Sequence, residues 1–141
     1  MFLFRRSGAS STRASLHALR ALYRSFVEEN GPEARSCRLL RDWLSPDQRA
    51  QFDAEGCFEV TGSHTGRRYR VHYGTVSNVV RLDEAGQPET GWCFIPQGAL
   101  AAGDVMLAQK IALETDEMAA LALANRFSPK VPRPRVVRRA Y

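Results

Sequence analysis

The feature that most constrains the fold is a change in apolar periodicity at Cys57. Before this residue, apolar side chains recur at helical spacing. From Cys57 onward they alternate with polar ones, so that Phe58 and Val60 are interleaved with Glu59 and Thr61. A period of two is typical of a half-buried strand. Helices followed by a run of strands predict an α+β fold.

Four strands are predicted in succession. They cover about 57–61, 68–73, 78–82 and 91–95. Glycine- and aspartate-containing turns separate the first pair and the last pair. Because short connections make neighbouring strands antiparallel, we expect a four-stranded antiparallel meander with one wet and one buried face.

Two helical segments are predicted near the amino terminus. Residues 11–27 place Leu16, Leu19, Tyr23 and Phe26 on one stripe of a helix that packs on the domain or on a partner. Asn30-Gly31-Pro32 ends that helix, and a shorter apolar helix is predicted over 35–44.

A capping box predicts the start of a third helix. Ser45 precedes Pro46, and Gln48 stands at the third helical position. This arrangement satisfies free backbone amides at a helix start. Gly56 is a natural carboxyl-terminal stop.

The segment 104–127 predicts a C-terminal helix packed on one sheet face, with a possible restart at 115–117. It is apolar on most of its surface, which is typical of a helix buried in a core or in an oligomer interface. Both alternatives stay open. The candidate interface residues are Met106, Ile111, Met118 and Leu121.

Charge divides the 141-residue chain into three parts. Residues 1–27 carry five arginines and no acid, and residues 128–141 carry Lys130 and four arginines and no acid. The stretch between them has a net charge of −5. We therefore predict a basic N-terminal arm or helix (1–34), a single α+β domain (35–127) and a flexible Pro- and Arg-rich basic tail (128–141).

The stretch 62–74, "GSHTGRRYRVHYG", is the main candidate for binding chemistry. Strand alternation assigns Tyr69, Val71 and Tyr73 to the core. It leaves four residues to contact an anion: Arg67, Arg68, Arg70 and His72. Glycines allow successive backbone amides to converge, so we predict that the Gly62–Gly66 loop forms an anion-binding concavity. The guanidinium groups of the arginines can bind phosphate through two hydrogen bonds. The alternative is a solvated strand without binding function.

No catalytic or metal constellation is apparent. Cys57, His64, His72 and Cys93 lack the close ligand pairs of structural zinc sites. Nucleophile-elbow, P-loop and dinucleotide-binding motifs are absent from the sequence. We therefore expect no cofactor and no metal, and favour a non-enzymatic protein.

Four sequence stretches carry a resemblance. "CFEVTGSHTGRRYRV", "NV", "WCFIP" and "GDVMLAQKIALETDE" resemble a small domain that recurs in uncharacterised bacterial and phage reading frames. The resemblance covers about residues 40–126. That group has no assigned activity, so the resemblance implies no catalytic residue. It implies a bacterial or phage cytoplasmic setting.

The leading functional hypothesis is a small accessory module that contacts nucleic acid or another polyanion. It would use the hairpin cations and the tail arginines, Arg133, Arg135, Arg138 and Arg139. The alternative is a protein–protein or homo-oligomeric subunit that uses the C-terminal helix. We expect no membrane span and a cytoplasmic location, or an organellar matrix if residues 1–27 act as a transit peptide.

Overall fold

The computed structural model describes residues 8–129, and for residues 8–12 and Val27 only the backbone is described. Five helices and five strands follow one another along this part of the chain. Their bounds are α1 (Gly8–Asn30), α2 (Pro32–Trp43), α3 (Pro46–Glu55), β1 (Cys57–Thr61), β2 (Arg68–His72), β3 (Val79–Leu82), β4 (Pro88–Cys93), α4 (Ala102–Thr115), α5 (Glu117–Ala122) and β5 (Asn125–Phe127).

The local signals before the sheet are confirmed. The side chain of Ser45 accepts from the Gln48 amide and the Gln48 side chain accepts from the Ser45 amide, which completes the capping box of α3. Gly56 ends α3 in the left-handed conformation with φ of 70°, where glycine carries no Cβ penalty.

The sheet is antiparallel with the order β1-β2-β3-β4-β5. The predicted meander is thus correct in class and order, but it has five strands instead of four. The predicted helix over 104–127 is broken at Asp116, which caps α5, and its last residues form β5. β5 pairs with β4 through Gly91↔Phe127 and Cys93↔Asn125.

The core lies between one sheet face and the helices α2, α4 and α5. Alternate strand residues point into it, and α2 and α4 supply most of the helical side. Its fully or nearly fully buried members are Leu40, Leu44, Phe58, Val60, Tyr69, Val71, Val79, Trp92, Met106, Leu113 and Ala120. The C-terminal helices therefore pack on one sheet face, as predicted.

Helix α2 contacts the α4 end of the domain from its first turn. The Glu33 carboxylate accepts from the Ala102 amide at the start of α4 (3.3 Å) and from the Tyr73 hydroxyl (3.1 Å). Gly103 lies so close to α2 that a Cβ there would fall 2.4 Å from the Ser36 backbone. Glu33 and Ser36 thus fix how α2 crosses α4.

Helix α1 stands apart from this core. It contacts the following helix α2, and Arg38 of α2 donates to the Glu29 carbonyl at 2.6 Å. Its apolar stripe remains exposed among the described residues. No helix in the described part of the chain is long and apolar enough to cross a membrane.

Candidate functional site

The hairpin β1–β2 places the predicted anion contacts on the sheet face opposite the core. Tyr69 and Val71 are completely buried, which confirms their assignment to the core. Arg68 and His72 are exposed and Arg70 is partly exposed on the other face. Tyr73 was assigned to the core incorrectly: β2 ends at His72, and the Tyr73 side chain is 54% exposed.

Carboxylates occupy the space beside all three hairpin arginines. Glu59, which lies opposite Arg70 in the β1–β2 register, accepts from Arg70 (3.3 Å) and from Arg68 (3.4 Å). Glu89 of β4 accepts from Arg67 at 2.7 Å and from Arg81 at 3.3 Å. Each exposed ion pair stabilises the fold by only about 0–1 kcal/mol, but together they offset much of the local positive charge.

The cleft beside these arginines also has a mixed lining. It measures about 410 Å³ and lies between the 62–67 loop and the 83–86 turn. Arg67 and Arg68 face Asp83, Glu84 and Glu89 across it. With more acids than bases around it, this cleft is a poor receptor for phosphate.

The loop that was predicted to hold an anion is filled from within the protein: the Gly62, Ser63 and Gly66 amides donate to backbone carbonyls, and the Thr65 amide donates to the Glu117 side chain. The Glu117 carboxylate is fully buried against the loop. It accepts from the Thr65 hydroxyl through both oxygens (2.5 and 2.9 Å) and from the Thr65 amide (3.4 Å). The expectation of a site for an external anion in this loop is therefore wrong, because Glu117 fills it.

Other loop groups hold the start of α5. The Ser63 hydroxyl accepts from the Glu117 amide at 3.0 Å, and His64 Nδ1 lies 3.4 Å from the Met118 amide. The Ser63 amide donates to the Leu113 carbonyl at 3.0 Å. The "GSHT" segment thus has a structural role: its hydrogen bonds join the hairpin to the α4–α5 junction.

Two buried polar atoms beneath the sheet have no hydrogen-bond partner among the described residues: the Tyr69 hydroxyl and Trp92 Nε1. Burial, and then the charge of Glu117, raise the pKa of Tyr69. The Arg126 guanidinium lies 4.8 Å from the Trp92 ring centroid, a cation–π contact. The Tyr69 hydroxyl and Trp92 Nε1 lie inside the core, whereas Arg126 is exposed on β5.

His72 and the cysteines show no metal-binding arrangement. Desolvation and the neighbouring Arg70 lower the pKa of His72, and burial raises the pKa of the Cys57 thiol. Within residues 8–129 there is no group of three or more His, Cys, Asp or Glu side chains placed to hold a metal ion.

The four candidate interface residues divide between core and surface. Met106 is completely buried, so its expected role at an interface is corrected to a core role. Leu121 is partly buried against the same core. Ile111 and Met118 are 44% and 59% exposed, so an interface on these helices depends on that pair.

Helix α1 carries five of the exposed large apolar side chains of the described chain. Its large apolar side chains are 51–70% exposed, and they are Leu16, Leu19, Leu22, Tyr23 and Phe26. We call this set the α1 stripe. The sequence predicts the helical periodicity of these side chains, but periodicity alone does not show whether the rest of the domain covers them.

A row of arginines runs along one flank of the α1 stripe. Arg13, Arg20 and Arg24 are all exposed, and their spacing of seven and four residues keeps them on one side of the helix. None of the three forms an ion pair with a described side chain. We call this set the α1 arginine row.

The predicted tail contacts Arg133, Arg135, Arg138 and Arg139 lie outside the described residues.

The chain matches no known protein family, and comparisons with curated proteins and with solved structures find no match either. The resemblance to a recurring bacterial and phage domain stays a prediction.

Proposed function

We propose that the protein is a non-enzymatic accessory module that binds nucleic acid or a similar polyanion, and that α1 is its main contact. The observation that carries this proposal is the α1 arginine row, which is exposed and lacks described acidic partners. Arginines on an exposed helix are a common way to contact phosphates.

The contrast between α1 and the hairpin supports this assignment. Both surfaces have three closely spaced arginines, but those of the hairpin share Glu59 and Glu89 as ion-pair partners. A polyanion at the hairpin has to displace these carboxylates or accept their repulsion. At α1 the acids Glu28 and Glu29 lie at the end of the helix, and no described carboxylate forms an ion pair with Arg13, Arg20 or Arg24.

A reducing compartment such as the cytoplasm fits the proposal. Cys37, Cys57 and Cys93 are all free thiols, and disulfides are rare where thiols are kept reduced. The basic tail at 128–141 would add a second contact to the same polyanion.

Binding of the full chain to fluorescently labelled mixed-sequence duplex DNA and single-stranded RNA tests the proposal. Because phosphate contacts release counterions, affinity is expected to fall steeply between about 50 and 200 mM salt. Equally negligible affinity at both salt concentrations would rule the proposal out.

A second candidate function is that of a protein-binding subunit. The exposure of Ile111 and Met118 on α4 and α5 supports it, since two large apolar side chains there lack a described partner. Replacing both with Ser is expected to abolish capture of a partner without unfolding the chain. Unchanged capture by that variant would exclude these helices as the interface.

A further inference from the structure

His17 lies on the same face of helix α1 as the α1 arginine row. The positions Arg13, His17, Arg20 and Arg24 are separated by four, three and four residues, which is the spacing of neighbours on one face of an α-helix. All four side chains are exposed. An imidazole is therefore in line with the three arginines, inside the surface to which the proposed function assigns the polyanion.

The surface around His17 is shared with its two arginine neighbours. Arg13, His17 and Arg20 line one shallow groove of about 460 Å³ on the flank of α1. At a rise of about 1.5 Å per residue, His17 is about 6 Å from Arg13 and about 4.5 Å from Arg20 along the helix axis. A chain of phosphates that follows the α1 arginine row has to pass over His17.

The acids of α1 lie far from His17. They are Glu28 and Glu29, about 16–18 Å further along the helix axis. Helix α2 contacts α1, and its hydrogen bond to the Glu29 carbonyl is at that same end. His17 forms no ion pair with a described side chain. The charged residues of α2 nearest to this end of α1 are Glu33, Arg35 and Arg38.

We propose that His17 is a further phosphate contact of this surface and makes its affinity for the polyanion depend on pH, an inference that rests on the proposed function. Histidine is the side chain that ordinarily gains its positive charge as the pH falls from about 8 to about 5. The charged imidazole has two N–H donors, whereas the neutral ring has one donor and one acceptor. A phosphate diester stays negatively charged across this range and therefore binds the charged form more strongly.

The direction of the pH dependence follows from this preference of phosphate for the charged imidazole. The affinity for the polyanion is expected to be highest at acidic pH and to fall as the pH rises and the imidazole loses its charge. Because linkage is reciprocal, binding of the polyanion is also expected to draw a proton onto His17 at intermediate pH.

The affinity of the full chain for fluorescently labelled mixed-sequence duplex DNA, measured at pH 6 and at pH 8, tests the proposal. The original chain is expected to bind about two- to fivefold more tightly at pH 6, the gain of one exposed charge contact. The slope of log affinity against log salt concentration is expected to be steeper at pH 6 by up to about 0.9, since one phosphate contact is added. Calorimetry in buffers of different ionisation enthalpy measures the proton uptake.

Two variants at position 17 remove the charge or make it permanent. His17→Gln is expected to bind at pH 6 only as tightly as the original chain does at pH 8. His17→Arg is expected to bind at both pH values at least as tightly as the original chain does at pH 6. Both variants are expected to lose the proton uptake that accompanies binding.

The matched control is His72→Gln, which removes an exposed imidazole from the hairpin instead of from α1. This variant is expected to keep the full pH dependence of the original chain. Circular dichroism at pH 6 and pH 8 checks that all three variants keep the helix content of the original chain.

Two results would overturn this inference and leave the proposed function intact. The first is DNA binding by the original chain that is equally tight at pH 6 and pH 8. The second is a pH dependence that persists in His17→Gln, and its loss in His72→Gln would then assign the effect to the hairpin. Negligible DNA binding by the original chain and by His17→Arg at low salt and at both pH values would overturn the proposed function and this inference with it.

Discussion

The carboxylate of Glu117 occupies the space that a side chain at Gly62 would need, since a Cβ atom at Gly62 would fall 1.8 Å from Glu117 Oε2. This contact joins the hairpin loop to the start of α5 across 55 positions of sequence. Glycine is required at position 62 because of this close approach.

Gly62→Ala is therefore expected to destabilise the protein by about 2–3 kcal/mol, because the methyl group has to displace a buried and hydrogen-bonded carboxylate. Urea unfolding followed by circular dichroism measures the change. In a Glu117→Ala background the same substitution is expected to cost less than about 1 kcal/mol, since the obstructing group is gone. An equal cost in both backgrounds would show that the Glu117 contact is unimportant.

Thr65→Val is expected to lower the free energy of unfolding by about 2–3 kcal/mol. The substitution keeps the shape of the side chain but removes the hydroxyl that donates to Glu117, and a buried carboxylate that loses a donor is costly. Thr65→Ser keeps the hydroxyl and serves as the control, with an expected loss under about 1 kcal/mol. If Val and Ser cost the same, the hydroxyl contributes nothing.

The surroundings of the Tyr73 hydroxyl predict that the folded protein loses stability at alkaline pH. Desolvation, and then the hydrogen bond to Glu33, raise the pKa of Tyr73 from 10.0 to about 12. Because the folded state keeps the proton that the unfolded state releases, this contribution is complete below pH 10 and is lost as the pH rises toward about 12.

The measurement is the urea midpoint of the original chain and of Tyr73→Phe between pH 8 and pH 11.5. The difference in urea midpoint between the original chain and Tyr73→Phe is expected to be constant below pH 10 and to decrease above it. A difference that does not change across this range would contradict the raised pKa.

Local sequence signals were sufficient to predict much of the fold. The capping box at Ser45, the stop at Gly56 and the alternation from Cys57 each depend on residues close in sequence, and all three appear in the structure. The fifth strand was missed because it depends on a distant partner. Gly91 has no side chain, so the Phe127 ring packs directly on its backbone.

The candidate site was harder to predict for the same reason. The sequence identified Arg67, Arg68 and Arg70 as candidate contacts. The acids that pair with them are Glu59 and Glu89, which are brought beside them only by strand register and long-range packing. Glu117 lies within the helix predicted over 104–127, and the structure buries its side chain against the hairpin loop.

We propose that the α1 arginine row, and not the hairpin, contacts the polyanion. The most direct test compares two triple variants, R13S/R20S/R24S and R67S/R68S/R70S, by the slope of log affinity for duplex DNA against log salt concentration. We predict that the α1 variant loses about 2–3 from the magnitude of this slope, as expected for three lost phosphate contacts, and that the hairpin variant keeps it. A slope lost in the hairpin variant and kept in the α1 variant would show instead that the hairpin contacts the polyanion.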